Sequence, residues 1–252
     1  MKPQFLYRYF SFIPERVKPV FEKNTIFFPC AKDFNDPFDS QLKYSTDSTR
    51  EEKFEFIVRT AQRVYPNLGR QQCEEATRKL FEMRSEADFQ RAVDEMIEKD
   101  AASHFGILSF SEKRDDLLMW AHYADKHQGF CLEFKTDNEF FREVTKVEYV
   151  IEYPNVNFLR RQRGDEMRFH STKGKHWEYE QEWRVFNVVQ GRGAYPFPPE
   201  SLTGVIFGLQ MPEENERVIR DWVKIGKSTP RFYKAQKKIR EFGLEVMPDA
   251  KD

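Results

Sequence analysis

Apolar and polar positions repeat with two different periods along this chain. "FLYRYFSF", near the amino terminus, alternates and is rich in aromatic residues, as a half-buried strand does. Pro14 then opens a short helix over Glu15 to Lys23, because proline is tolerated in a first turn. "TIFFPC" reads as a second strand, and "AKDFNDPFDS" as a turn or loop in which Pro37 biases Asp36 away from helix. From about residue 48 to 102 the period changes. Phe54, Ile57, Val58 and Ala61 fall at helical spacing, as do Leu80 and Phe81 with Met83, and then Phe89 and Val93. Breaks near "YPNLG" and "RSEAD" divide this stretch into three helices, with Ser85 as a cap.

Beyond that stretch the two-residue period returns. "GILSFSE" is a strand, and "DLLMWAHYADK" is a helix from Asp116 to Lys126 that a turn at Gly129 hands over to the strand "FCLEF". "TKVEYVIEY" alternates as one further strand, and "EWRVFNVV" and "LTGVIFG" follow. "PEENERVIRDWVK" is a helix with Pro212 near its start, and "RFYKAQ" and "REFGLEV" close the chain as strands. The order predicts an α+β fold. A mixed central sheet and an inserted helical layer at about 48–102 would together form a single domain over residues 1–252.

Composition narrows the class. Against 41 basic residues stand 42 acidic ones, which gives no prior for a protein that wraps nucleic acid or coats a membrane. The 25 phenylalanines and few glycines point to a packed globule. Cys30, Cys73 and Cys131 are odd in number and widely spaced, which argues against a disulfide framework or a structural zinc site. The start has no apolar signal region and no apolar run reaches bilayer length, so the expectation is a cytoplasmic chain without membrane partners.

Several stretches carry candidate chemistry. Glu180 and Glu182 in "YEQEWRVF" are two residues apart just before a strand. Extended backbone would place both carboxylates on one face, where they divide acid, base or charge-stabilising roles. The structural alternative is that they pair with Arg184, Lys173 or Lys175. In "LMWAHYADKHQGF", Trp120 and Tyr123 share a helix face, either as core or as a wall that stacks on a ligand. His122 points away from them, and His127 meets the exposed carbonyls at the helix end. Asn35 and Asp36 are turn formers, with Asn35 also a candidate ligand contact and Asp39 within reach of the same loop. The basic stretch 160–176 suits phosphates of a nucleotide or RNA, or a solvated loop. Glu133 and Lys135 in "CLEFK" resemble the metal-binding element of restriction-type nucleases, which would imply a Mg²⁺-dependent reaction.

Four blocks, "FNDPFD", "SFS", "LLMWAHYADKHQGFCLEF" and "KGKHWEYEQEWRV", resemble the signature of a bacterial family, domain-of-unknown-function family 2971. That resemblance implies no activity. Arg8 on a first strand, Ser109 and Ser111 on a later one, and Glu-x-Glu before another are similar to the ordered signature of Arg-Ser-Glu ADP-ribosyltransferases. This second resemblance implies NAD as the substrate, with no metal. It would place Arg8 on the phosphates, Ser109 or Ser111 beside the ribose, and Glu182 against the developing cation, with a protein or nucleic acid as acceptor. A nucleotide- or nucleic-acid-binding domain without turnover is the alternative.

Overall fold

The structure, a computed structural model, describes residues 1–101, 105–162 and 164–250. Strand β1 spans Phe5–Phe10, and Pro14 occupies the first turn of α1, Pro14–Glu22. β2 (Thr25–Phe28) and the two-residue β3 (Tyr44–Ser45) precede three helices, α2 (Arg50–Val64), α3 (Arg70–Met83) and α4 (Glu86–Ala101). Position 102, the expected end of this layer, lies outside the described residues. Thr49 and Glu52 exchange reciprocal capping bonds at the start of α2, and Ser85 and Asp88 do the same before α4.

Strands and short helices then alternate: β4 (Gly106–Ser111), α5 (Leu117–Tyr123), β5 (Phe130–Lys135), β6 (Thr145–Lys146), β7 (Glu148–Val150) and β8 (Val156–Asn157). After them come α6 (Asp165–His170), β9 (Thr172–Gly174), β10 (Glu182–Asn187) and β11 (Gly193–Pro196). β12 (Leu202–Phe207), α7 (Glu213–Ile225), β13 (Arg231–Lys237) and β14 (Leu244–Pro248) complete the fold. Eight strands form one sheet in the order β14-β13-β12-β5-β1-β4-β10-β6, antiparallel except for β12 beside β13. This is the mixed sheet of an α+β fold.

Each face of the sheet is covered. Leu6, Leu108, Phe110, Leu132, Phe134 and Val205 point to one face, where Val17, Val20 and Phe21 of α1 and Ile219 of α7 bury them. Tyr7, Tyr9, Cys131 and Ile206 point to the other, against Met119, Trp120 and Ala124. The helical layer has a smaller core of its own, in which Tyr44 makes edge contacts with Phe158 and Phe169, and Phe56 with Phe158.

Three elements differ from the sequence reading. α5 ends at Tyr123 instead of Lys126, because Asp125, Lys126 and His127 all take left-handed backbone with φ of 46°, 54° and 69°. The chain can make this hairpin-like return only because Gly129 lacks a side chain; a Cβ there would sit 2.0 Å from the Phe10 carbonyl oxygen. "TKVEYVIEY" splits in two. β6 pairs with β10, whereas β7 runs parallel to β9, so one alternating stretch serves two ladders. β11 pairs with β2 although its "GAYP" sequence carries the Gly and Pro that depress strand propensity.

Candidate functional site

A break in one ladder of the sheet creates a cavity. All six residues of β1 pair with β5, but only Tyr7 pairs with β4, opposite Ser111. β4 keeps six paired positions with β10. Beyond Tyr7 the two strands part, and the chain after β2 runs beside β4 instead, with the Ile107 amide donating to the Pro29 carbonyl at 2.7 Å. A cavity of about 320 Å³ opens in the parting. Alternation puts Arg8 on the face of Leu6, away from Tyr7 and Tyr9. With no ladder in its way, its guanidinium enters the gap and donates from Nη1 to the Ser109 carbonyl at 2.6 Å. Its buried Nε has no partner. Burial pulls this guanidinium down to about 10, against the opposing charge of Glu182.

The floor of the cavity is an ion-pair network. Arg184 is fully buried, and its fork engages Glu182 through Nε and Nη2 at 2.7 and 3.0 Å and Asp39 through Nη1 and Nη2 at 2.9 and 2.6 Å. Nη1 also donates to Ser40 Oγ and to the His170 carbonyl. Lys173 Nζ donates to Glu180 at 2.6 Å and to Glu182 at 3.2 Å, and lies 3.6 Å from Asp39. Two cations thus serve three carboxylates. Residues from β4, β9, β10 and the loop after β2 meet here, so the network ties parts of the chain as distant as 39 and 184.

The two glutamates converge by a route that strand alternation does not describe. Glu180 ends a 3₁₀ turn at Lys175–Glu180, Gln181 is left-handed with φ 44°, and Glu182 begins β10. The left-handed residue turns both side chains toward Lys173. Ser40, beside Asp39, is also left-handed, with φ 56°. Such backbone costs of order 1–3 kcal/mol at each non-glycine position and persists only where surrounding contacts impose it. Here those contacts are the ion pairs.

Unequal compensation separates the two glutamates. Glu182 receives Nε and Nη2 of Arg184, Nζ of Lys173 and a hydrogen bond from Ser109. Burial alone would raise its pKa, but Arg184 and Lys173 outweigh burial and hold it well below the usual range. Glu180 has only Lys173 and the Tyr123 hydroxyl, which donates at 2.5 Å. Burial pushes Glu180 up to about 7, with the charge of Glu182 adding to the push and Lys173 opposing it. Lys173 stays charged, because Glu182, Glu180 and Asp39 more than offset its own burial. Glu180 is therefore the acid poised to exchange a proton near neutral pH.

The cavity gathers seven of the eight site residues singled out from sequence: Arg8, Asn35, Ser109, Ser111, Tyr123, Glu180 and Glu182. Asn35 hydrogen-bonds the Tyr123 hydroxyl, and Ser111 Oγ donates to the Glu180 carbonyl at 2.6 Å. Trp120, the eighth, does not line the cavity. It is fully buried behind the wall, edge-on to Tyr9, with its indole N–H on the Arg114 carbonyl. The helix turn carries it inward and Tyr123 outward. His122, expected to point away, instead lines the cavity near Trp177 and Tyr179. His127 stacks on Trp120 with Nδ1 unpartnered, and burial lowers its pKa, which disfavours the cationic form of the imidazole.

Other stretches resolve into structural work. Asp36 accepts from the Phe38 amide in the expected turn, and Asp39 stays bonded to that loop, through its amide to the Asp36 carbonyl and from the Ser40 hydroxyl, while its carboxylate also engages Arg184. Lys173 and Arg184 pair with the glutamates as the structural alternative expected, whereas Asp39 is the network member that sequence reasoning undervalues, because an acid two residues past a Pro gives no signal of a distant partner. Within 160–176, Arg160 pairs with Glu52 of α2 and Arg161 lies 3.8 Å from the Phe158 ring centroid. Position 163 of this stretch lies outside the described residues. Glu133 accepts from Thr203 and Tyr7, and Lys135 pairs with Asp137. Among the described residues no group of three or more His, Cys, Asp or Glu side chains is placed to hold a metal ion. No helix among them is long and apolar enough to cross a membrane.

Residues 119–185, from α5 into β10, match the model of a protein family of unknown function, DUF2971. The matched stretch is about a quarter of the chain and holds Tyr123, Lys173, Glu180, Glu182 and Arg184, while Arg8, Asn35, Asp39 and Ser109 lie before it. No match was found among curated proteins or among solved structures.

Proposed function

We propose that the cavity binds a nucleotide and that the chain is an enzyme which opens the nicotinamide–ribose bond of NAD. The observation that carries this reading is the pairing of Glu180, short of counter-charge, with Arg8, short of hydrogen-bond partners, across one cavity. A planar guanidinium with an unpaired Nε suits a diphosphate. The rings of Tyr7, Phe34 and His122 offer flat surfaces to a base or a nicotinamide. Departure of nicotinamide with the bonding electron pair leaves an oxocarbenium-like ribose, and an acceptor hydroxyl or water then attacks it. Glu180, with a pKa near 7, takes the proton from that acceptor. Glu182, whose oxygens are occupied by Arg184, Lys173 and Ser109, acts as a positioning residue that holds Lys173 in place.

That same occupancy of Glu182 favours a second reading, a nucleotide-binding domain without turnover, and one experiment separates the two. Purified protein is incubated with NAD and nicotinamide release is followed beside thermal stabilisation. The enzyme reading expects release by the wild type, a loss of about 10²–10⁴-fold in Glu180→Gln, and NAD-induced stabilisation in both. Stabilisation without release would favour the binding domain. Neither release nor stabilisation would remove NAD from the account.

A further inference from the structure

The helical layer encloses a second cavity, of about 340 Å³, that shares no residue with the one at the parted strands. Its walls come from α2, α3, α4 and Phe158, so it is concave on several sides and suited to a small molecule more than to a partner helix. The lining is aromatic and aliphatic, including Phe56, Phe89 and Val93. Every charged side chain that lines it among the described residues is a cation: Arg50, Lys53 and Arg84. In a chain with as many acids as bases, that is a selective arrangement. Arg50 lies with its guanidinium 5.7 Å from the Phe81 ring centroid and donates to the Phe81 carbonyl. Arg84 lies within electrostatic reach of the Asp88 carboxylate, whereas Arg50 has no carboxylate partner among the described residues.

We propose that this cavity binds an amphipathic anion, an aliphatic chain ending in a single anionic head group. The chain fills the apolar interior, where it displaces water from aromatic surface. The head group meets the arginines at the rim, which pair with carboxylate or phosphate in a fork geometry. The layer would then serve as a ligand-binding element separate from the chemistry of the parted strands.

Isothermal titration calorimetry with dodecanoate, dodecyl phosphate, dodecanol and dodecylammonium, each below its micellar concentration, tests this on the full chain. One-to-one binding of the anions is expected, with the alcohol and the ammonium at least about tenfold weaker; the ratio of dodecanoate to dodecyl phosphate identifies the head group. Arg50→Ala with Arg84→Ala lowers anion affinity by about tenfold and leaves the alcohol unchanged, with far-UV circular dichroism checking that loss of the Arg50–Phe81 contact leaves the helices folded. Ala92→Phe fills the interior and abolishes binding of all four, with far-UV circular dichroism unchanged. Equal binding of alcohol and anion, binding that survives Ala92→Phe, or no detectable anion binding would each overturn the proposal.

Discussion

Asp39→Asn tests the physical basis of the site more directly than any substitution in the cavity wall. The change keeps the shape of the side chain but removes its charge and presents an amide N–H₂ toward guanidinium donors. Two charge-assisted hydrogen bonds from Arg184, at 2.9 and 2.6 Å, are lost or weakened. Each is worth about 1.5–3 kcal/mol, and removing one partner of a buried ion pair costs about 3–5 kcal/mol because the other charge remains buried. Arg184 has no route to water, being fully buried. For a chain of this size that loss lowers the thermal midpoint by roughly 6–20 °C. Chemical denaturation with urea, followed by tryptophan fluorescence, measures it. Combining Asp39→Asn with Arg184→Gln closes a double-mutant cycle, and a coupling of about 2–3 kcal/mol is expected. A single-variant loss below about 1 kcal/mol, the range of exposed pairs, would refute the claim that Arg184 depends on Asp39.

The other predictions concern pH and the turn at Gly129. Glu180 has a folded pKa raised from the ordinary 4.5 to about 7, so its contribution to stability is complete below pH 4.5 and is lost as pH rises toward 7. Buried His170, held down to about 4 by burial and by Arg184, works in the opposite sense and loses its contribution as pH falls from 6.5. Wild type minus Glu180→Gln, measured by urea unfolding between pH 5 and 8, therefore isolates the glutamate: the difference should shrink as pH rises, and a flat difference would be inconsistent with a raised pKa. Gly129→Ala forces a methyl to 2.0 Å from the Phe10 carbonyl oxygen, and a loss of about 1–3 kcal/mol or more is expected in the same assay. A neutral result there would mean that the α5-to-β5 return does not press on β1.

Much of the architecture was legible because local pattern and global fold agree. β1, β4, β5, β10 and β12 have the alternation or apolar runs that period-two reasoning finds, and the three inserted helices have the caps and spacing that period-3.6 reasoning finds. Arg8, Ser109 and Glu182 could be singled out as residue types suited to a nucleotide. Local partnership was legible too, since Glu180 and Glu182 pair with the nearby Lys173 and Arg184, but distant partnership was not. Asp39 and Arg184 are 145 positions apart, and no local period relates them. The left-handed backbone at Gln181 and in Asp125–His127 depends on tertiary contacts, which is why α5 ended early and why the glutamates converge without being on one strand. Trp120 takes the core alternative and His122 reaches the cavity, because a seven-residue helix has two apolar-tolerant faces and only packing against Tyr9 decides which is buried.

The distance in sequence between Asp39 and Arg184 has a kinetic consequence. Joining them before any other contact exists would close a loop that includes the whole helical layer, at an entropic cost of roughly 4 kcal/mol plus a constant. That is as large as the interaction itself, so the pair cannot act as a nucleus. In the folded chain the β4–β10 ladder, with Ser109 opposite Arg184, holds one side of the pair in place. A partly unfolded chain in which Asp39 has not reached Arg184 therefore has no assembled floor to its cavity.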